Sequence, residues 1–382
     1  MVSSNCKVGV YGDLAQKSGG TIDLATAYDA LRLHVPTLDS PPTTPLELSA
    51  ALHAAGTLEE GAVISVEITE RIQTPISHIW LLEVEYSANS SPNLPRRLFM
   101  KWPIKQSPAP EKGEPELVFY QKLAPAFPSP PMVKCLATAP NTSEQKWLIL
   151  EDLRSTHTNP PWPERPDDKA VYDAVEILAQ VHAHWWEAPT LGSTVGTMPT
   201  ETSLRTMVHG FRDHVPGLFD DLGSDLPPAD RQVIQTVFDS SLRPWLRLVE
   251  PRALTVIHGD AHTWNFLFPR SGQGTPYLVD WQLWHIDVGP RDLAFMMALH
   301  WDRRTRQQLE LPLLHHYHEK LVEAGVSNYS FDDLFLDYRR CVVRNLTFPI
   351  ILWSRGSPRE AWRHRLDNAL AAYRDLDAAE LL

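Results

Sequence analysis

Asp260, Asn265 and Asp280 are the residues of this chain whose types and spacing could do chemistry. They stand in the stretches VIHGDAHTWNFLF and PYLVDW, with Asn265 five positions and Asp280 twenty positions after Asp260. A short apolar run precedes each acid, Leu254 to Ile257 and Tyr277 to Val279, and each run reads as a buried strand. A carboxylate at the end of a strand can accept the proton of an attacking hydroxyl. An amide oxygen and a second carboxylate are hard oxygen donors of the kind Mg2+ prefers. A base beside a magnesium site is what phosphoryl transfer from a nucleotide requires. Asp260 is therefore the candidate base, and Asn265 and Asp280 are the candidate metal ligands. Two unrelated turns would use the same residue types, because Asp, Asn and Gly favour turns on their own. The paired strands and matching features upstream favour the chemical reading.

HGDAHTWN stands where a protein kinase carries H-R-D-L-x-x-x-N, and VDW where it carries D-F-G. Together with Val288-Gly-Pro-Arg-Asp-Leu-Ala294, these motifs resemble the aminoglycoside phosphotransferase and choline-kinase-like superfamily, with the ecdysteroid-kinase-like branch a near comparison. The resemblance implies an α+β, two-lobed protein-kinase-like fold. The small N-terminal lobe would hold an antiparallel sheet, and the larger C-terminal lobe would be mainly helical. It also implies transfer of the γ-phosphate of ATP, with Mg2+, to a hydroxyl of a small molecule. Lys101, ending the apolar strand Arg97-Leu-Phe-Met-Lys, takes the place of the lysine that reaches the α- and β-phosphates. Glu116 is the carboxylate chosen to orient it, with Glu114 the second choice; both could equally be solvated acids in a first helical turn. Backbone groups around Glu151 to Leu153, in LILEDL, are expected to meet adenine.

The chain departs from kinases at the phosphate-covering loop. Glu70-Arg-Ile-Gln-Thr-Pro-Ile-Ser-His78 contains no glycine, which leaves Ser77 and nearby amides as the phosphate contacts. That departure supports a second reading, a catalytically weak or inactive kinase-like module that binds nucleotide for regulation. A protein kinase is disfavoured, because only seven residues separate Trp281 from Gly289 and leave no room for an activation loop. His258 is expected to brace the catalytic loop, and Asp292 to cap or pair inside the large lobe. His262 and Trp284 are possible substrate contacts. Asp287 reads as a turn carboxylate. His182-Ala-His184 and His315-His316-x-His318 lack the spacing of a zinc site and read as structural or surface groups.

The elements that must position these residues follow from periodicity. Helical spacing appears at 22–35 and 45–55, strands over 61–103, and a helix at Glu114–Leu123. Two more strands precede a helix over Asp167–Trp186. Further helices are expected at 201–221, 229–248, 290–301, 304–324, 331–352 and 358–376. The domain division expected is 1–57 as an N-terminal extension, 58–154 as the nucleotide-binding lobe and 155–382 as the catalytic lobe, with the first twenty or so residues poorly ordered. A net charge of −12 argues against nucleic acid or an anionic membrane as a partner and leans toward a cationic substrate. Three scattered cysteines and the lack of a long apolar run make a cytoplasmic protein, monomer or homodimer, the expectation.

Overall fold

A computed structural model describes residues 41–74, 76–104, 114–161, 164–240 and 242–382. The helix expected at 22–35 and the poor order expected of the first twenty or so residues concern positions outside them. The chain divides into two compact units, one of residues 1–102 with 136–149, the other of residues 103–135 with 150–382.

The first unit is built on a sheet with strand order β1-β2-β3-β5-β4. Its strands are β1 (Val63–Gln73), β2 (Ser77–Tyr86), β3 (Arg97–Pro103), β4 (Cys135–Thr138) and β5 (Leu148–Glu151). β1 and β2 pair antiparallel from Val63↔Tyr86 to Gln73↔His78. Period-two alternation places Leu98, Met100 and Trp102 of β3 in the core. Lys101, between them in sequence, points to the opposite face and is half-buried. The helix α1 (Pro45–Ala54) starts with a Thr44–Glu47 capping box and docks on β1, where the Val63 N–H donates to Ser49 Oγ at 2.8 Å.

The second unit is mainly helical. It opens with α2 (Glu114–Val118), which continues as a π-helical turn over Phe119–Leu123. The long α3 (Asp168–His184) is capped by Asp167, whose carboxylate accepts the Ala170 N–H at 2.8 Å. Its apolar stripe, including Val171, Val175, Leu178 and Val181, is fully buried. After α4 (Glu201–Leu222), the helix expected over 229–248 proves to be two, α5 (Pro228–Ser240) and α6 (Arg243–Leu246). Pro244 explains the break: it has no N–H to donate, and its ring would collide with the carbonyl four residues earlier, at residue 240, where α5 ends. Two small sheets carry the chemistry-bearing segments: β7 (Leu254–Ile257) with β10 (His285–Val288), and β8 (Phe266–Pro269) between β6 (His157–Thr158) and β9 (Tyr277–Leu278).

The remaining helices are α7 (Pro290–Ala294), extended by a π turn over Phe295–Leu299, α8 (Arg303–Glu323), α9 (Phe331–Arg344), α10 (Thr347–Ser354) and α11 (Arg359–Asp375). The single helix expected over 331–352 is divided between α9 and α10. Pro349 lacks an N–H and its ring collides with the carbonyl four residues earlier, at Asn345, where the division falls. Among the described residues no helix is long and apolar enough to cross a membrane.

Asp287 is not a turn carboxylate. It lies in β10, fully buried, and Arg344 Nη1 donates to its Oδ1 at 2.9 Å while Nη2 bonds the other oxygen. Burial alone would raise its pKa, but the adjoining Arg344 guanidinium reverses this and holds the carboxyl well below the usual range. The pair is therefore charged in the folded protein. Replacing Arg344 by Met should strand a buried charge and cost about 3–5 kcal/mol of stability in a urea melt. The double variant Arg344→Met/Asp287→Leu should recover most of that loss. Because the Asp287 pKa is depressed on folding, the pair's contribution should be full above the unfolded value of 3.8 and be lost as the pH falls below it toward the much lower folded value.

Candidate active site

β7 ends at Ile257, and its next two amides leave the ladder inside the protein, where they need acceptors. Asp292, in the first turn of α7, supplies both. The His258 N–H donates to its Oδ2 at 2.7 Å and the Gly259 N–H to its Oδ1 at 2.9 Å. His182 Nε2 lies 3.2 Å from the same carboxylate, and its Nδ1 lies 2.8 Å from the Tyr317 hydroxyl. Asp292, His182 and Tyr317 are all fully buried. Burial would raise the Asp292 pKa, but the His182 bond and the neighbouring groups hold it below the ordinary carboxylate range. Gly259 is required here: its φ is +81°, and a Cβ would lie 2.2 Å from the Leu283 carbonyl oxygen.

His258 ties the loop to the second acidic segment. Its Nε2–H donates to the Val279 carbonyl at 2.9 Å, and its Nδ1 accepts the Asp260 N–H at 3.3 Å. Burial lowers its pKa, which keeps the ring neutral as this bonding pattern requires. The bracing role expected of His258 is what the bonds show. The Val279 N–H in turn donates to the Asn265 carbonyl at 2.9 Å, so the residue before Asp280 is fastened to the candidate metal ligand Asn265. Trp281, fully buried, donates its indole N–H to the Leu278 carbonyl and stacks on Phe119 at 3.8 Å and 8°. The Trp284 indole N–H donates to the Pro115 carbonyl at 2.6 Å and secures the start of α2, with the side chain left half-buried.

These bonds bring Asp260, Asn265 and Asp280 together. Asn265 Nδ2 donates to the Asp260 carbonyl at 2.8 Å and to its Oδ2 at 3.3 Å, which leaves the amide oxygen for another partner. Asp280 sits in the left-handed region at φ +69°, and accepts from Gln282 Nε2. A non-glycine residue held there stores strain of the kind that accumulates at functional sites. Asp260 keeps 23% of its side-chain surface exposed. Burial, then the negative charge of Asp280, raises its pKa from 3.8 to about 7, against the opposing pull of Asn265 and Arg365. His262 Nε2 lies 3.7 Å from Asp260 Oδ2, and burial lowers the His262 pKa to about 4, so the ring is neutral.

Magnesium fits this donor set. Asp280, the Asn265 amide oxygen and Asp260 are hard oxygen donors, and the mutual repulsion of the two acids is the field a divalent cation would relieve. Among the described residues no three His, Cys, Asp or Glu side chains converge as a self-sufficient metal site. An ion held here would complete its shell with water or phosphate oxygens, which is how Mg2+ is usually held.

The residues expected to hold nucleotide are placed as follows. Lys101 lies within β3, two residues before the strand ends at Pro103. Glu116 is buried on α2 whereas Glu114 is exposed, so Glu116 is the one in an interior position. Both Glu116 and Asp280 lie close enough to the buried Tyr120 hydroxyl to reinforce the rise that burial causes in its pKa. Ser77 is buried, and its N–H donates to Thr74 Oγ1 at 2.9 Å, so that amide is committed to the turn. The Glu151 N–H donates to the Lys134 carbonyl, and the Leu153 carbonyl accepts from Thr156 and His157. Sequence reasoning missed Gln282, Arg365, His300 and the double role of Asp292. The only signal for Asp292 was its place in the Gly-Pro-Arg-Asp motif.

Residues 90–330 match the Phosphotransferase enzyme family, APH. A candidate aminoglycoside phosphotransferase from Ralstonia eutropha is similar in structure, with a TM-score of 0.52 and 13% identity over 93% of this chain and 98% of its own. The ethanolamine kinase Pv091845 of Plasmodium vivax has a TM-score of 0.52 and 10% identity over 97% of this chain and 98% of its own. A choline/ethanolamine kinase family protein from Mesorhizobium loti has a TM-score of 0.49 and 14% identity over 80% and 87%. Comparison with curated protein sequences found no match. The first two likenesses concern the fold, which is kinase-like.

The electrostatics of Asp260 make a prediction about stability. Its pKa is raised on folding, so its contribution is full below the unfolded value of 3.8 and is lost as pH rises through about 7. Asp260→Asn should therefore stabilise the nucleotide-free protein by about 1–3 kcal/mol at pH 8 and leave it nearly unchanged at pH 4. Denaturant melts at the two pH values, with chelator present, check this. Equal effects at both would contradict the raised pKa.

Proposed function

Because the chain belongs to the phosphotransferase enzyme family, we propose that it transfers the γ-phosphoryl group of ATP to a hydroxyl of a small molecule. The observation that supports this most is Asp260 itself, a carboxylate with raised proton affinity, bonded to Asn265 and set beside Asp280. The hydroxyl oxygen attacks the γ-phosphorus while the bond to the β-bridging oxygen breaks, and ADP leaves. Asp260 orients the hydroxyl and receives its proton. Mg2+, when bound, neutralises charge on the phosphate oxygens. Asp280 and the Asn265 amide oxygen are the groups that would hold it. The His258–Asp292 anchoring keeps all three at fixed positions, so little reorganisation is left for the reaction. Lys101 and Glu116 are assigned to the nucleotide by the resemblance, and each is open to test by its own substitution. The backbone carbonyl of Glu151 and the N–H of Leu153 are the groups proposed for the base.

A second reading, a kinase-like module that binds nucleotide without turnover, draws on one observation. The Ser77 amide in the glycine-free turn is already bonded to Thr74 and is not presented to phosphate. Isothermal titration with Mg-ATP, followed by an assay of labelled γ-phosphate transfer across a panel of alcohols, separates the two. Binding with no transfer to any acceptor favours the module.

Under the enzyme reading, Asp260→Asn should lower turnover by about 100- to 10,000-fold while nucleotide affinity changes little. Asp280→Ala should remove the magnesium-dependent part of nucleotide binding in the same titration. Full turnover in Asp260→Asn would refute its role as the base.

A further inference from the structure

Asp280 stands at the N-cap position of the short 3-10 turn Trp281–Leu283, yet it does not act as a cap. An acidic N-cap ordinarily has extended backbone angles and accepts the N–H two or three residues on. Asp280 has φ 69° and ψ 59° instead, and its side chain makes no capping bond to the turn. A side chain replaces the backbone donor. Gln282, the second residue of the turn, reaches back and donates from Nε2 to Asp280 Oδ1. The donor of this bond is fixed by chemistry, since only the NH2 of an amide can donate to a carboxylate.

The tethers on either side of Asp280 act on its neighbours. The Val279 N–H is tied to the Asn265 carbonyl, and the Val279 carbonyl accepts from His258. Trp281 is tied to the Leu278 carbonyl and stacked on Phe119. These bonds set where residue 280 leaves the backbone. They leave open the two side-chain torsions that aim its carboxylate. The Gln282 bond acts on the carboxylate itself.

The residue type suits that task. Gln282 is half-buried, so its amide is partly withdrawn from competing water. Its side chain is long enough to turn back over two positions, and it carries no charge. A lysine here would cancel the negative charge that attracts a cation, and a glutamate would repel the carboxylate. A neutral amide fixes direction and leaves the charge of Asp280 undiminished. Hydrogen-bond partners one step removed from a metal typically account for about 10- to 100-fold in metal affinity.

Taking the phosphotransferase reading as given, with Asp280 as a magnesium ligand, we propose that Gln282 is the positioning residue that presents the Asp280 carboxylate to the magnesium–nucleotide complex. It acts through Asp280 and not as a base or ligand of its own. The quantity to measure is the gain in ATP affinity that Mg2+ brings, from isothermal titrations in Mg2+ and in EDTA, which need no turnover. Gln282→Met keeps the length of the side chain and removes the N–H. It should cut the magnesium-dependent gain by about tenfold or more, while ATP affinity in EDTA stays within about twofold of the wild type. Gln282→Asn, one methylene shorter, should show the same loss and stands in if thermal melts find the first variant unfolded. An unchanged or larger gain in either folded variant overturns the proposal. So does an equal loss of ATP affinity with and without the metal, which is what a merely structural role would give. A wild-type chain that gains nothing from Mg2+ would instead overturn the phosphotransferase reading, and this inference with it.

Discussion

The buried carboxylate of Asp292 is the interaction on which the helical unit's chemistry depends. A strand that ends inside a protein leaves amides with no ladder partner, and burying them unpaired costs as much as losing a hydrogen bond each. Asp292 takes two successive amides at once, from His258 and Gly259, and so sets the direction in which the chain leaves β7. The next residue is Asp260. His258, turned by the same anchor, reaches the Val279 carbonyl and brings the residue before Asp280 alongside. One acid from a short helix thus fixes two segments far apart in sequence. The penalty for burying it is met by His182, itself held by Tyr317, so the anchor extends through two long helices.

Packing guards the same arrangement from the other side. The Trp281 ring, directly after Asp280, is clamped against Phe119 in the π turn that follows α2. A π turn shifts the register of side chains by part of a helical turn, and such turns recur at functional sites. Here it presents Phe119 flat against Trp281, while Trp284 ties the beginning of the same helix to the same loop. Asp280 is left strained in the left-handed region and facing a second acid. Neither feature favours the empty folded state. Both make sense where a cation and phosphate are to be received, since active sites commonly give up stability for function.

The fold and the core of the site were largely legible in the sequence. Period-two alternation in Arg97–Pro103 and the three-to-four spacing in Asp168–His184 marked strand and helix, because each element has one face to bury. Where element boundaries were misread, a proline was responsible both times. Pro244 and Pro349 divided helices that apolar spacing alone would have run together, since the spacing records burial and not the missing N–H. Asp287 was misjudged for a related reason: it looked like a turn carboxylate from its neighbours in the chain, yet it is taken up by a partner remote in sequence, Arg344.

What the sequence determined by itself was the inventory: which acids and amides stand at the ends of which apolar strands, and at what spacing. Those are local facts, written in residue type and period, and they suffice to nominate Asp260, Asn265 and Asp280. The tertiary structure decided the electrostatic state of that inventory. Whether Asp260 holds its proton near neutrality depends on burial, on Asp280 and on Arg365, the last more than a hundred residues away. Coulomb interaction and desolvation act through space at a few ångströms, and distance along the chain carries no record of them.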